Sequence, residues 1–508
     1  MDAFLFSAAF VFAIITVIRV HKTLNRKSSL PLPPGPRGLP LIGNILDLAN
    51  NDIHIKSRIW SRELGEDVIS LDIFGNTMII LNSAEAVSDF FEKRGSNYSD
   101  RPDMPMIVDL MGWDWTFALM RYGPRWKEHR RVFHSHFNHR VSEHQHIQLK
   151  ISHELLALLL DSPVNYLNHI RHYAAHIIMK RVYGHTVVDG NDPYVHLVDK
   201  ASQSTSEAAV PGAFLVDLFP SFKYVPEWVP GASFKRKARE WRQLSEAMIN
   251  APYNMVKSKV TAGRAEPCFV AECLEQNASF PKEALSEELI KDTAAVAYAA
   301  GADTSVSTLT TFILAMTLYP EAQKRAQSEL DQVLGGDRLP NFSDKDRLPY
   351  VHALLKEVLR WIPVLPLAVP HRATHADQYK GYHIPAGASV LGNAWAILHD
   401  GNTYIDPELF RPERYLESPN LPDPADSGVF GFGRRACAGK TMALDTIWIA
   451  IASILTVFNI TKAVDENGDV VTPEVKLNPG SISHPAPFEC SIKPRSCTTL
   501  SLIQHGRN

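Results

Sequence analysis

The sequence predicts a mainly α-helical fold with small β-sheets, preceded by a single N-terminal transmembrane helix. Three observations carry that prediction. A helical pattern prevails from about residue 84 to 330 and includes one very long helix candidate, Ser286 to Tyr319. Strand signals are confined to two short patches. The first apolar run, Ala3 to Ile18, contains no charged residue.

That apolar run would reach roughly 24 Å as a helix at 1.5 Å per residue, somewhat short of the ~30 Å hydrocarbon core. Local bilayer thinning accommodates a short span. Arg19, Lys22, Arg26 and Lys27 follow it, and residue 2 is Asp. A secretory signal peptide carries its positive charge before the apolar stretch, so a cleaved signal is the weaker alternative. The positive-inside rule then leaves the rest of the chain in the cytosol. Residues 1–21 are expected to be the membrane anchor and 22–45 a basic, proline-rich linker. Residues 46–508 are expected to form one domain. The linker holds Pro31-Leu-Pro-Pro-Gly-Pro-Arg-Gly-Leu-Pro40, too dense in proline for helix or sheet and stiffly extended.

Along the domain, Val68–Phe74 and Thr77–Leu81 flank Gly75-Asn76, a hairpin signal. The helix candidate Ser286–Tyr319 starts at a serine cap before two glutamates and is apolar nearly all round, as a core helix should be. Pro320 is placed to open the next helix, which runs to Gly335-Gly336. Tyr350 to Trp361 is a further helix, stopped by Pro363, and Tyr379 to Trp395 is the second hairpin-rich patch.

Composition is ordinary for a globular chain of 508 residues, with 45% hydrophobic and 21% charged residues. A formal net charge of −3 gives no basic footprint for nucleic acid. The five cysteines are odd in number and lack C-x-x-C spacing, so neither a disulfide framework nor a zinc site is suggested. A reducing compartment fits that usage.

The chemistry concentrates in Phe430-Gly-Phe-Gly-Arg-Arg-Ala-Cys-Ala-Gly439, of the form F-x-x-G-x-R-x-C-x-G. Its glycines allow close approach to a flat macrocycle. Cys437 precedes a helical segment starting near Gly439, so helix N-terminal amides lie close, and Arg434 and Arg435 add positive potential. These features favour a thiolate, the form that ligates haem iron and promotes O–O cleavage. A packed, inert thiol is the alternative for a lone cysteine.

With these residues the chain resembles the cytochrome P450 family, especially its microsomal-type fungal branch that oxidises secondary metabolites. The likeness runs from the anchor and Pro-Pro-Gly-Pro linker to Pro487–Arg495. It implies the cytochrome P450 fold, a haem b cofactor with Cys437 as axial iron ligand, and a haem-binding catalytic domain over 46–508. Glu357-Val-Leu-Arg360 matches E-x-x-R, whose i, i+3 spacing puts both side chains on one helix face. Arg414, in Phe410-Arg-Pro-Glu-Arg-Tyr415, is the implied third member, with Tyr415 where the family has Phe. Ala300-Gly-Ala-Asp-Thr304 lies midway along the long helix. Gly301 there implies the oxygen-binding kink against the haem, and Asp303 and Thr304 imply proton delivery during oxygen activation. Thr304 can also bond back to its own helix. Trp126-x-x-x-Arg130, Arg372 and Arg435 match propionate-binding positions, and Phe430 lies against the cofactor in the same implied set.

The resemblance further implies a distal pocket lined by Met104–Phe117 (Met106, Val108, Met111, Trp113), by Phe214–Trp228 beginning at Phe214, by Val364, Leu365 and Leu367, and by Ser481-Ile482. These are mainly apolar, which suits a hydrophobic small-molecule substrate. Phe214–Trp228 is also expected to touch the bilayer. Asp103, Asp109 and Asp114 are open to two readings, an amine partner or a solvated loop.

The activity expected is insertion of one oxygen atom from O2 into a terpenoid first, then a polyketide or indole-type aromatic. Electrons would come from a separate NADPH-dependent P450 reductase, with cytochrome b5 as a second donor, since the chain has no flavin or nicotinamide motif. The expected location is the endoplasmic reticulum membrane with the catalytic domain facing the cytosol. Two rivals stand beside this: a haem-thiolate isomerase or dehydratase, and a non-catalytic membrane-tethered haem or sterol binder. Two decoys are set aside. Gly431-Phe-Gly-Arg-Arg-Ala436 fits G-x-G-x-x-A but lacks a βαβ setting. The six histidines between His129 and His146 are expected to form a solvated helical face rather than a metal site.

Overall fold

The structure is a computed structural model and describes residues 29–48, 52–188, 190, 192–210 and 212–505. The expected anchor, 1–21, lies outside the described residues, as does the start of the 22–45 segment. Helix dominates, as predicted. The long helices are α1 (Ile53–Leu64), α2 (Pro124–Phe137), α3 (Val141–Asp161), α4 (Tyr166–Tyr183), α5 (Pro193–Ala208) and α6 (Ser233–Thr261). They continue with α7 (Phe269–Ser279), α8 (Glu287–Leu318), α9 (Pro320–Leu334), α10 (Pro349–Trp361) and α11 (Lys440–Val457).

The 32-residue α8 is the axis of the fold. Ser286 caps it by accepting from the Leu289 amide. It packs along α4 and also meets α6 and α11. From Asp292 to Thr317 its side chains are buried except over Ala299–Thr304, so the helix opens one window midway along its length. Helix α9 starts at Pro320 and ends on Gly335 in the left-handed conformation. Helix α11 is long and apolar enough to cross a membrane, but it is packed inside the core.

Strands β1 (Val68–Ile73) and β2 (Asn76–Leu81) pair antiparallel. The turn centre is Phe74-Gly75, one residue before the expected Gly75-Asn76. Both central residues have positive φ, 52° and 79°, the type I′ geometry that matches strand twist. The remaining strands are β3 (His371–Arg372), β4 (Asp377–Tyr379), β5 (Tyr382–Ile384), β6 (Ser389–Gly392), β7 (Phe458–Val464), β8 (Val470–Val471) and β9 (Cys490–Pro494). They form a four-stranded sheet ordered β1-β2-β6-β3, a β4-β5 ribbon and a three-stranded β8-β7-β9 sheet. The second hairpin patch therefore splits between two sheets, and its end becomes the short helix Ala394–Leu398.

The described part of the proline-rich segment is extended, but it does not stand off from the body. The Pro34 carbonyl accepts the Ser70 amide at 2.9 Å, and the Pro31 carbonyl accepts the His383 amide at 2.7 Å. A Cβ at Gly35 would lie 1.9 Å from the Ser70 carbonyl oxygen, so glycine is required where the segment crosses β1.

The histidine-rich stretch departs from the expected solvated face. His129 and His144 are buried. His129 Nε2 lies 2.9 Å from Asp292 on α8, and Arg181 Nε donates to His144 Nδ1 at 3.0 Å. Burial and then the Arg181 charge pull His144 down to about 4. Two positions of that face thus turn inward and are spent on helix packing.

Candidate active site

Cys437 sits between a tight loop and the start of α11. Its amide donates to the Phe430 carbonyl at 2.7 Å, which closes the loop. Gly433 has φ 55°, and a Cβ there would lie 2.3 Å from the Phe91 carbonyl oxygen. The loop is thereby pressed against Phe91, and Phe432 stacks on the same ring at 5.7 Å. The Gly439 and Lys440 amides point at the Cys437 sulfur, and the Arg130 and Lys440 charges act on it. Burial nevertheless outweighs these groups and pushes the thiol up. The loop alone was expected to favour the thiolate; in the folded protein burial wins, and metal coordination is what deprotonates such a thiol outright. The Cys437 side chain keeps accessible surface although the polypeptide packs closely around it.

Trp126 and Arg130 lie one turn apart on α2. The Arg130 guanidinium lies 5.5 Å from the Trp126 ring, and the Arg435 guanidinium lies 4.7 Å from the same ring. Arg130 has no carboxylate partner among the described residues. Arg435 is buried and donates to the carbonyls of Ser99 (2.8 Å), Phe117 (3.2 Å) and Met120. Burial pulls it down to about 10. Arg372 is half-buried, 3.7 Å from Asp100. Three cations thus converge with one carboxylate between them, an arrangement short of negative charge in a poorly solvated place. A haem b fits: its two propionates supply that charge, and the open sulfur supplies its iron ligand.

Arg101 belongs to this cluster and escaped the sequence reading. It is buried, and it donates to the carbonyls of Ala118, Val369 and Pro370 at 2.7 to 2.9 Å. It ties the segment before α2 to the strand carrying Arg372. An arginine between Asp100 and Pro102 reads as surface charge, so no local signal marked it.

Behind the loop, Glu357, Arg360 and Arg414 meet. Arg360 donates to both carboxylate oxygens of Glu357 at 2.8 Å, and Arg414 Nε donates to Glu357 Oε1 at 3.1 Å. Arg360 also takes the Leu398 and Pro407 carbonyls.

On α8, Gly301 and Thr304 fall within the open window. Thr304 Oγ1 donates to the Ala300 carbonyl at 2.8 Å, and Asp303 Oδ1 lies 3.2 Å from His484 Nε2. The Gly301 Cα faces Ile178 of α4, where a Cβ would come within 2.9 Å of the Ile178 Cδ1.

The residues proposed for the substrate side are divided. Leu365, Leu367 and Ser481 line a cavity of about 1730 Å³, with Met104, Ile107 and Leu119. Met106 and Met111 are 0% exposed and are not among the residues lining that cavity. Trp113 stacks on Trp115 at 4.9 Å, and Phe214 packs edge-on to Trp241 at 5.9 Å. Val364 is buried, whereas Val108 and Ile482 are half-buried. An apolar helical segment buries most of its large side chains, and sequence alone could not say which ones point to the cavity. Asp103, Asp109 and Asp114 pair with the chain's own Arg121, Lys223 and Arg125, and Asp103 also lines the cavity.

A cysteine in a glycine-arginine loop, a cation cluster short of carboxylates and a mid-helix acid–alcohol pair agree with what comparison with known proteins finds. The cytochrome P450 family model matches residues 33–489. The chain belongs to the cytochrome P450 family. It is 70% identical to a cytochrome P450 monooxygenase of Armillaria gallica, over 98% of both chains. It is 45% identical to cytochrome P450 monooxygenase 208 of Postia placenta, over 93% of this chain and 92% of that one. It is 40% identical to the tryptamine 4-monooxygenase of Psilocybe cyanescens, over 93% and 94%. As a P450 monooxygenase it uses haem iron, which supplies the oxygen-activating chemistry when bound.

Proposed function

We propose that this P450 oxidises a hydrophobic secondary metabolite, a terpenoid first and an indole-type aromatic or polyketide next, with O2 and electrons from an NADPH-dependent reductase. The observation that carries the substrate class is the wall of the large cavity. Leu365, Leu367, Met104, Ile107 and Leu119 line it, beside Arg372 and the carboxylates of Asp72, Asp103, Asp217 and Asp377. The apolar side of that wall suits a hydrophobic ligand held by shape, with the polar groups fixing its orientation.

In this reading Cys437 would ligate the haem iron. Trp126, Arg130, Arg372 and Arg435 would hold the propionates, and Phe430 and Gly301 would border the ring. Asp303 and Thr304 move protons at the window of α8. The Glu357–Arg360–Arg414 trio fixes the polypeptide behind the Cys437 loop. Retention of both Asp303 and Thr304 favours a monooxygenase over an isomerase or dehydratase, which needs no proton delivery to oxygen.

We further place the chain on the endoplasmic reticulum membrane, held by residues 1–21. Leu215, Tyr224 and Trp228 are exposed at 49%, 77% and 82%, apolar surface suited to an interface that admits lipophilic substrates. The test is co-expression with a P450 reductase and mass-spectrometric screening of terpenoid, polyketide and indole-type candidates. Products heavier by one oxygen support the reading. Turnover of none of these classes, with haem bound and reductase active, rejects it.

A further inference from the structure

His484 lies outside every motif named above, yet it touches the proposed proton-delivery residue. Its Nε2 stands 3.2 Å from Asp303 Oδ1, and the Asp303 carboxylate has no other side-chain partner among the described residues. The segment carrying His484 is fastened on three sides. The Ser483 amide donates to the Val364 carbonyl at 2.9 Å. Ser307 Oγ donates to the Ser483 carbonyl. The Asn478 amide donates to the His484 carbonyl at 2.8 Å, and Leu477 bridges Pro485.

Ser307 and Asp303 are i, i+4 on α8, so they share one face of the helix. The segment therefore docks at Ser307 and reaches back one turn to Asp303. A carboxyl in a half-open window would otherwise sample several rotamers, some turned away from the interior. Transfer of a proton needs a fixed donor geometry.

We propose that His484 is a positioning residue for Asp303: its ring holds one carboxylate oxygen and thereby fixes the other for proton transfer at Thr304. The inference rests on the assignment of Asp303 to proton delivery. The titratable groups facing Asp303 are His484 from the C-terminal segment and Asp199 from α5, which Arg171 of α4 and His196 of α5 also reach. Ser481, three residues from His484, lines the cavity, so the same segment touches both the substrate space and the acid.

The test uses full-length holoenzyme with its reductase and no added substrate. Two readouts are the C–O stretch of the ferrous carbonyl complex and the solvent deuterium isotope effect on NADPH-driven oxygen consumption. We expect H484L to raise the isotope effect by at least about twofold, as misaligned proton transfer does. H484Q, whose amide can still reach Asp303, should stay at the wild-type value. H484L and D303N should move the C–O stretch in the same sense, and the double variant should go no further than D303N. Wild-type values for H484L in both readouts, full additivity with D303N, or a defect in H484Q equal to that of H484L would overturn the proposal. If H484L loses its carbonyl band at about 450 nm, H484N takes its place, since its shorter amide cannot reach. If wild type consumes no oxygen without substrate, the monooxygenase reading is decided by the substrate screen alone, and the C–O stretch cycle still decides His484.

Discussion

Glu357 and Arg414 stand 3.1 Å apart across 57 residues of chain, and Glu357 is wholly shielded from solvent. Arg360 completes the group, so one carboxylate balances two guanidinia inside the core. Removing one partner of such a set leaves a buried, unpaired charge. E357Q and R414L are each expected to lower stability by about 3–5 kcal/mol, read as a shift in the urea unfolding midpoint, with loss of bound haem at 25 °C. An exposed pair such as Lys324–Glu321 (2.9 Å) should cost less than about 1 kcal/mol when broken.

Gly433 gives a sharper local prediction. Its φ of 55° and the Phe91 carbonyl in its way leave no room for a Cβ. G433A is expected to cost about 1–3 kcal/mol from backbone strain alone and to cut haem content per protein. G263A, also at positive φ but with open space around it, should retain haem in the same assay.

Asp217 predicts a pH dependence. Burial pushes its carboxyl up to about 6, and its Oδ1 accepts the Met106 amide at 2.9 Å. A raised folded value means that the charged form is disfavoured by folding. The protonated form carries the full stability at low pH, and stability is lost as pH rises from about 4 through 6. The change is at most about 3 kcal/mol at 1.4 kcal/mol per unit. D217N, still able to accept from Met106, should flatten the unfolding free energy over that window. An unchanged slope would remove Asp217 as its cause.

Thr304 is expected to separate haem binding from coupling. T304A should keep its haem and its carbonyl spectrum, yet divert about tenfold more NADPH into peroxide than wild type, as loss of a proton-delivery group implies. Peroxide yield per NADPH checks this, and an unchanged ratio would take Thr304 out of the mechanism.

Much of this was legible in the sequence because the signals are local. Ser286, Pro320 and Gly335 mark helix ends by capping chemistry, and the helices begin and end there. Spacing put Glu357 and Arg360 on one face. Arg414 came from family likeness, since a contact 57 residues away leaves no periodic trace. The misses share a cause. Met106 and Met111 read as cavity lining, but apolar patterning marks burial without saying what lies on the other side. The turn at Phe74-Gly75 needed a positive φ from phenylalanine, which Gly75-Asn76 conceals. Arg101 and His484 act through tertiary contacts alone, and Cys437 lies in a setting whose burial only the fold reveals.

The central claim is that Cys437 supplies the thiolate of a haem-thiolate monooxygenase. The most direct measurement is the reduced carbon monoxide difference spectrum of the full-length holoenzyme beside C437S. The wild type should give a Soret band at about 450 nm, and C437S should lose it along with NADPH-driven turnover. A wild-type band at about 420 nm in intact protein, or a C437S variant that keeps the 450 nm band, would contradict the assignment.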